Sequence, residues 1–152
     1  MQRRLFLAST MLIPVMGLLA RTRIARAAEH EVQMLNKGPD GQRNWFEPAV
    51  LRVEPGDTIK FVPVDKGHNS ASVVIPEGAE SWNGKLNQEI AVTLAVPGLY
   101  SYKCLPHFGL GMVGLIVVGD PAINFDAVAA GRYPGKAKTV LAELLAEVKA
   151  SS

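Results

Sequence analysis

The side chains with the most chemistry to offer lie in one short segment, Cys104-Leu105-Pro106-His107-Phe108-Gly109-Leu110-Gly111-Met112. It places a thiol, an imidazole and a thioether at relative positions 0, 3 and 8, with a second imidazole, His68, 36 residues before the cysteine. Soft sulfur combined with imidazole selects copper, and two His with one Cys and a long, weak Met bond is the pattern of a blue-copper electron-transfer site. Such a site would hold a geometry between the preferences of the two copper oxidation states, so little need move when one electron is exchanged, and it needs no open position for a substrate. Zinc is the rival for the same donors, but a structural zinc site rarely recruits a thioether and a catalytic one keeps an open position.

Taken singly, each residue has a plainer role: a buried core thiol, a methionine filling space, a surface histidine. Together they are harder to dismiss, because all four sit beside glycine, proline or loop residues. The third histidine, His30, lies in a segment expected to be a mobile terminus and is left out of the site. An enzyme built on a second copper or an open coordination position would have only that histidine left to use, so no catalytic residue is assigned. A copper storage or delivery protein is the alternative; exchangeable sites of that kind favour exposed Met- or His-rich segments.

Positioning four separated ligands requires strands that end near one another. Val32–Leu35, Ala49–Val53, Thr58–Val62, Ser72–Ile75, Ile90–Val96, Leu99–Cys104 and Val113–Val118 are short apolar or alternating runs, punctuated by Pro55-Gly56, Pro76-Glu77-Gly78 and Pro97-Gly98. Period-two alternation between such turn signals predicts an antiparallel sandwich or barrel. The connections around 65–70 and 78–86 are long enough to build a site. The character changes at Asp120-Pro121, a helix start with a capping Asp and Pro in the first turn. One helix is expected to run to Gly131, and a second from Pro134 to Val148, with Val140, Leu141, Leu144, Leu145 and Val148 on one face.

The chain of 152 residues opens with a basic pair, Arg3-Arg4, then an apolar stretch to Ala20, and then Ala25-Arg26-Ala27. This order is that of an export leader cut after Ala27, and Arg3-Arg4-Leu5-Phe6-Leu7 resembles a twin-arginine signal. The expected organisation is therefore a leader over 1–27 and one domain over 28–152 located in the periplasm, with no membrane attachment after cleavage. Five of the 16 basic residues precede the cut and all 14 acidic residues follow it, leaving a net charge of about −3 on the remainder. The overall basic balance thus belongs to the leader, and nucleic-acid binding is not expected. Export gives the cysteine count meaning. Cys104 is the only cysteine and has no internal disulfide partner, and a free thiol in an oxidising compartment calls for burial or a metal.

From about His30 to the C-terminus the chain resembles the pseudoazurin branch of the cupredoxin family. The resemblance rests on Met34-Leu35-Asn36-Lys37-Gly38, Phe46-Glu47-Pro48-Ala49, Pro55-Gly56-Asp57-Thr58, Asp65-Lys66-Gly67-His68-Asn69, Ile75-Pro76-Glu77-Gly78-Ala79-Glu80, the ligand loop and the two terminal helices. It implies a Greek-key β-sandwich of seven to eight strands with two C-terminal α-helices, and one copper held by His68, Cys104, His107 and Met112. It implies that Asn69 braces the ligand loops and that its backbone N–H donates to the Cys104 sulfur. Pro106, lacking an N–H, adds no further donor. It implies, further, an electron carrier, and shuttling between partners fits a monomer. His107 would be its port, within an apolar patch of Pro106 and Leu110 that is ringed by Lys37, Lys66, Lys85 and Lys103. A nitrite reductase would be the acceptor and a cytochrome the donor. Against the usual family form, the stretch from His68 to Ile75 is about two residues short, and Phe108 and Leu110 replace the commoner Tyr and Met.

Overall fold

In a computed structural model, residues 27–151 are described. The leader expected over 1–27 lies outside them, apart from Ala27. Eight strands form two four-stranded sheets. One has the order β2-β1-β4-β6, built from β1 (Glu29–Lys37), β2 (Arg43–Glu47), β4 (Asp57–Pro63) and β6 (Ile90–Leu94). The other has the order β3-β8-β7-β5, built from β3 (Val50–Val53), β5 (Ala71–Ser72), β7 (Gly98–Lys103) and β8 (Val113–Val118). Helices α1 (Phe125–Ala129) and α2 (Lys136–Ala150) follow. Among the described residues no helix is long and apolar enough to cross a membrane.

The sandwich is mixed and not purely antiparallel. β1 pairs with β4, and β3 with β8, in parallel. Both pairs are made possible by connections that pass through the opposite sheet: the chain leaves β1, forms β2, crosses to β3 and returns as β4. Alternation along a strand reports which face is buried and says nothing about which way a neighbour runs, so the sequence pattern fits either direction.

Inward-facing positions follow the period of two. Val32 and Met34 of β1, Ile59 and Phe61 of β4 and Tyr100 and Tyr102 of β7 meet Phe46 and Trp82 in the inner core. Tyr102 packs edge-on against Phe46 and Phe61 at centroid distances of 4.7 and 5.0 Å, a favoured aromatic geometry. β8 is buried at every position. Ile116 and Val118 enter the inner core, whereas Val113, Leu115 and Val117 face the other way, beneath α2. This double coverage explains the unbroken apolar run Leu115–Val118, since a strand buried on both faces gains from apolar side chains at each residue.

α2 supplies the cover with Val140, Leu141, Leu144, Leu145 and Val148, the face expected from their spacing. Each such side chain, once buried, contributes roughly 1.5–3 kcal/mol. The first helix is shorter than expected: a 3-10 turn over Pro121–Ile123, capped by the Asp120 carboxylate accepting from the Ala122 N–H, precedes the five residues of α1.

Three strand readings need revision. β1 extends over nine residues, so His30 lies within a strand and not in a mobile terminus. β2 was not anticipated, because Arg43-Asn44-Trp45-Phe46-Glu47 shows only one apolar pair among polar neighbours. The run from Ser72 to Ile75 is a strand only at Ala71–Ser72. Val73 and Val74 instead bond to Ser101, the Val73 N–H donating to Ser101 O and the Ser101 N–H to Val74 O.

Candidate metal centre

Cys104 immediately follows β7, and Met112 immediately precedes β8. Because these two strands are hydrogen-bonded neighbours, with Lys103 opposite Val113, the two sulfur residues are anchored at adjacent points. The Cys104 N–H donates to Met112 O at 3.1 Å, and the Met112 N–H to His107 O at 3.1 Å. Between them Leu105–Leu110 winds as a 3-10 segment whose regularity breaks at His107 (φ −117°, ψ 15°). Gly111 closes the loop at φ +99°, a conformation that favours glycine.

His68 arrives from the loop after β4. Its Nδ1 stands 3.7 Å from Cys104 Sγ, and His107 Nδ1 stands 3.5 Å from the same sulfur. The three donor atoms all lie within 4.8 Å of one another. An imidazole nitrogen and a thiolate bound to one ion, at about 2.0 and 2.3 Å and an angle of about 110–120°, stand roughly 3.5–3.7 Å apart. The observed spacings therefore fit a common ion. Met112, fully buried, belongs to the same apolar cluster as Cys104.

Protonation states also suit a metal. The His68 Nε2 lies 2.9 Å from Asn36 Oδ1. An amide oxygen only accepts, so Nε2 carries the proton and Nδ1 presents its lone pair toward the sulfur. Burial pushes the His68 pKa down, reinforced by neighbouring His107 and opposed by Asp65, which keeps the ring neutral and able to ligate. Burial pushes the Cys104 thiol up, while backbone N–H groups of Asn69 and His107 pull it down. These two donors would stabilise a thiolate once a cation is present. The second comes from His107, one residue beyond the N–H that Pro106 lacks.

Asn69 connects the loops as expected. Its Oδ1 accepts from the Leu105 N–H at 2.8 Å and its Nδ2 donates to Gly84 O at 2.9 Å. Two further braces were not anticipated. Asn36 fixes the His68 ring, and its own N–H donates to Asp65 Oδ2 at 2.7 Å. Asn87, at φ +60°, donates its N–H to His68 O and accepts the Gly67 N–H through Oδ1. Sequence spacing carries no signal for either, because an Asn at a strand end or in a turn is ordinary.

The surface around the site is apolar. His107 is half-buried, and Leu105, Pro106, Gly109 and Leu110 are exposed beside it in the chain. Lys37, Lys66 and Lys85 are exposed, while Lys103 is half-buried with its Nζ 4.7 Å from the centre of the Phe108 ring. Phe108 in turn meets Tyr133 edge-on at 6.2 Å. The substitution of Phe for the commoner Tyr thus leaves that ring packed between a cation and an aromatic edge.

Residues 32–119 match the family of copper-binding proteins of the plastocyanin/azurin type. Pseudoazurin of Paracoccus pantotrophus is 50% identical over 134 residues, which cover 87% of this chain and 92% of that one. The structure of a pseudoazurin from Sinorhizobium meliloti superposes with a TM-score of 0.79 at 54% identity, covering 82% of this chain and 99% of the other. Pseudoazurin of Methylobacterium extorquens AM1 gives a TM-score of 0.75 at 40% identity, covering 79% and 98%. The mixed sandwich, the ligand loop between β7 and β8 and the two C-terminal helices are accordingly those of a pseudoazurin, and the chain belongs to that branch of the plastocyanin/azurin family.

Proposed function

We propose that this protein is a periplasmic one-electron carrier whose single type 1 copper is held by His68, Cys104, His107 and Met112. The observation that supports the ligand set best is the convergence of two imidazole nitrogens on the Cys104 sulfur at 3.5 and 3.7 Å, at a buried point whose apolar cluster includes Met112. The bound copper supplies a centre that cycles between one-electron oxidation states. The protein supplies the rest. Asn36 and Asn87 hold His68, Asn69 ties the loop of His68 to that of Cys104, and β7 and β8 clamp the two sulfur residues. Donors fixed in this way have little to rearrange when charge changes, which favours fast electron exchange. His68, Cys104 and Met112 are inaccessible, so water is kept from the centre. The same enclosure argues against copper delivery, which needs exchangeable ligands.

His107 is the partly exposed member of the four and is the port through which an electron leaves or enters. The exposed Leu105, Pro106 and Leu110 give a small apolar contact, as transient redox complexes require. Lys37, Lys66, Lys85 and Lys103 surround it with positive charge suited to acidic partners; a nitrite reductase as acceptor and a cytochrome as donor fit this chemistry. In this reading residues 1–27 are a leader removed on export, and 28–152 form one domain that works as a monomer. The decisive experiment is metal analysis and optical spectroscopy of protein recovered from the periplasm. One copper per chain with an intense thiolate-to-copper absorption is expected. Cys104→Ser should abolish that absorption, and an unchanged spectrum would refute the ligand assignment.

A further inference from the structure

The other end of β1 holds a second buried ionisable group with an unusual set of partners. Asp57, the first residue of β4, is 5% exposed. Its Oδ1 accepts the Ala28 N–H at 2.8 Å; its Oδ2 accepts the Glu54 N–H at 3.1 Å and lies 2.8 Å from His30 Nε2. Among the described residues its ion-pair partner is His30, which is cationic only when protonated. Arg52 lines the same cleft but is engaged elsewhere, its Nη2 donating to Val148 O and Ser151 Oγ. A buried carboxylate without a permanent counter-charge is costly, and burial of this kind is normally offset by a cation.

Cleavage after Ala27 would create that cation. Hydrolysis of the Ala27–Ala28 bond by a signal peptidase consumes one water. Ala27 departs as a carboxylate that takes the water oxygen, and the Ala28 nitrogen becomes an ammonium, carrying its own proton and the two from water. We infer that Asp57 is a receptor for the new N-terminus: removal of the leader converts the part-buried Ala28 N–H···Asp57 hydrogen bond into an ion pair that locks β1 onto β4. Ala28 is already aligned for it, since its carbonyl accepts the Thr58 N–H at 2.9 Å, which leaves its nitrogen facing Asp57. Ala27 and Ala28 are exposed, so the scissile bond lies at the edge of the folded domain. The present bond is charge-assisted through its acceptor alone; an ammonium adds the Coulomb attraction of an opposite charge at the same distance. The inference rests on the cleavage position given above. It concerns a place distant from the proposed copper site, because the eight residue steps from Ala28 to Asn36 span about 26 Å along an extended strand.

The test uses the full-length precursor and a version with one glycine inserted between Ala27 and Ala28. The insertion leaves Ala25-Arg26-Ala27 in place, so the processed chain should start one residue early and carry its charge away from Asp57. Mass spectrometry of the exported, copper-loaded proteins first reads the N-terminus; a natural start other than Ala28 overturns the cleavage position and the ion pair together. With Ala28 first, the natural protein should melt higher than the glycine-extended one by about 3–5 °C. That gap should vanish when both carry Asp57→Asn. Equal melting temperatures, or a gap that survives Asp57→Asn, overturn the ion pair alone.

Titration of the α-amine by NMR gives an independent reading that needs no variant. The charged groups facing it are Asp57 and His30, with Arg52 and Glu54 in the same cleft and Glu29 paired to Lys60 next along the strand. Its pKa should lie above the ordinary 7.7–8.0. The extra stability is then fully present below that range and lost as pH rises through the folded value. An ordinary pKa overturns the proposal.

Discussion

At the scale of single residues, the centre depends on which nitrogen of each imidazole is free. His68 is defined by a neighbour 32 positions away, since the Asn36 amide oxygen accepts the Nε2 proton and leaves Nδ1 for the metal. Asn36→Ala removes that acceptor without touching a ligand. Copper affinity should fall on the order of 10–100-fold, as it does when a partner holding a ligand's orientation is lost. Competitive chelator titration measures this, and circular dichroism should show the fold retained. An affinity equal to the parent's would mean that the ring is held by packing alone. His68, Cys104 and His107, which the fold brings together, could be singled out in the chain because soft sulfur and imidazole are chemically distinctive. Asn36 and Asn87 could not, because their roles exist only once β1 and the 85–88 turn are laid beside the His68 loop.

At the scale of elements, the ligand loop is braced from outside by the start of α2. A Cβ on Gly135 would come within 2.6 Å of Gly109 O, and this glycine stands at φ +54° with ψ −130°, where other residues are strained. Gly135→Ala should therefore push α2 away from the loop and destabilise the protein by about 1–3 kcal/mol. Urea unfolding gives the energy. A change in the thiolate-to-copper absorption of the same variant would show that the strain reaches the site, whereas a parent-like midpoint would show that the contact gives way freely.

The opposite end of β1 and β4 responds to acid. Three donors, with the Ala28 N–H the largest contributor, hold the Asp57 carboxyl below its ordinary value of 3.8. A depressed carboxylate pKa contributes stability above the unfolded value that is lost as pH falls through the folded one. Asp57→Asn should be less stable at neutral pH, and the difference from the parent should close below about pH 3.8. Urea midpoints measured from pH 7 to pH 2 check this; a constant difference would show that the charge of Asp57 contributes nothing.

At the scale of the whole molecule, charge sign and charge placement differ. The chain beyond residue 27 carries 11 basic and 14 acidic residues, yet the segments bordering the ligand loops present Lys37, Lys66 and Lys85 to solvent. With His107 as the proposed port, a molecule that is acidic overall but basic around that residue should orient toward an acidic partner before contact. Electron-transfer rates with such a partner should fall as ionic strength rises from about 0.01 to 0.15 M, over which the screening length shrinks from about 30 to 8 Å. Stopped-flow kinetics provides the measurement, and a salt-independent rate would remove steering while leaving the apolar contact.

The sequence by itself determined the ligand chemistry, the strand-rich plan and the buried face of the last helix. These are local properties: donor type, two-residue alternation and three-to-four spacing are written in neighbouring positions. Only the tertiary structure decided that two strand pairs run parallel, that Arg43–Glu47 forms a strand, that β8 is apolar throughout because α2 covers its second face, and that Asn36, Asn87 and Asp57 hold what they hold. Apart from Arg43–Glu47, which pairs with nearby β1, each of these depends on partners about twenty or more residues away, where the pairing free energy comes from the sum of the packed core and leaves no period in the chain.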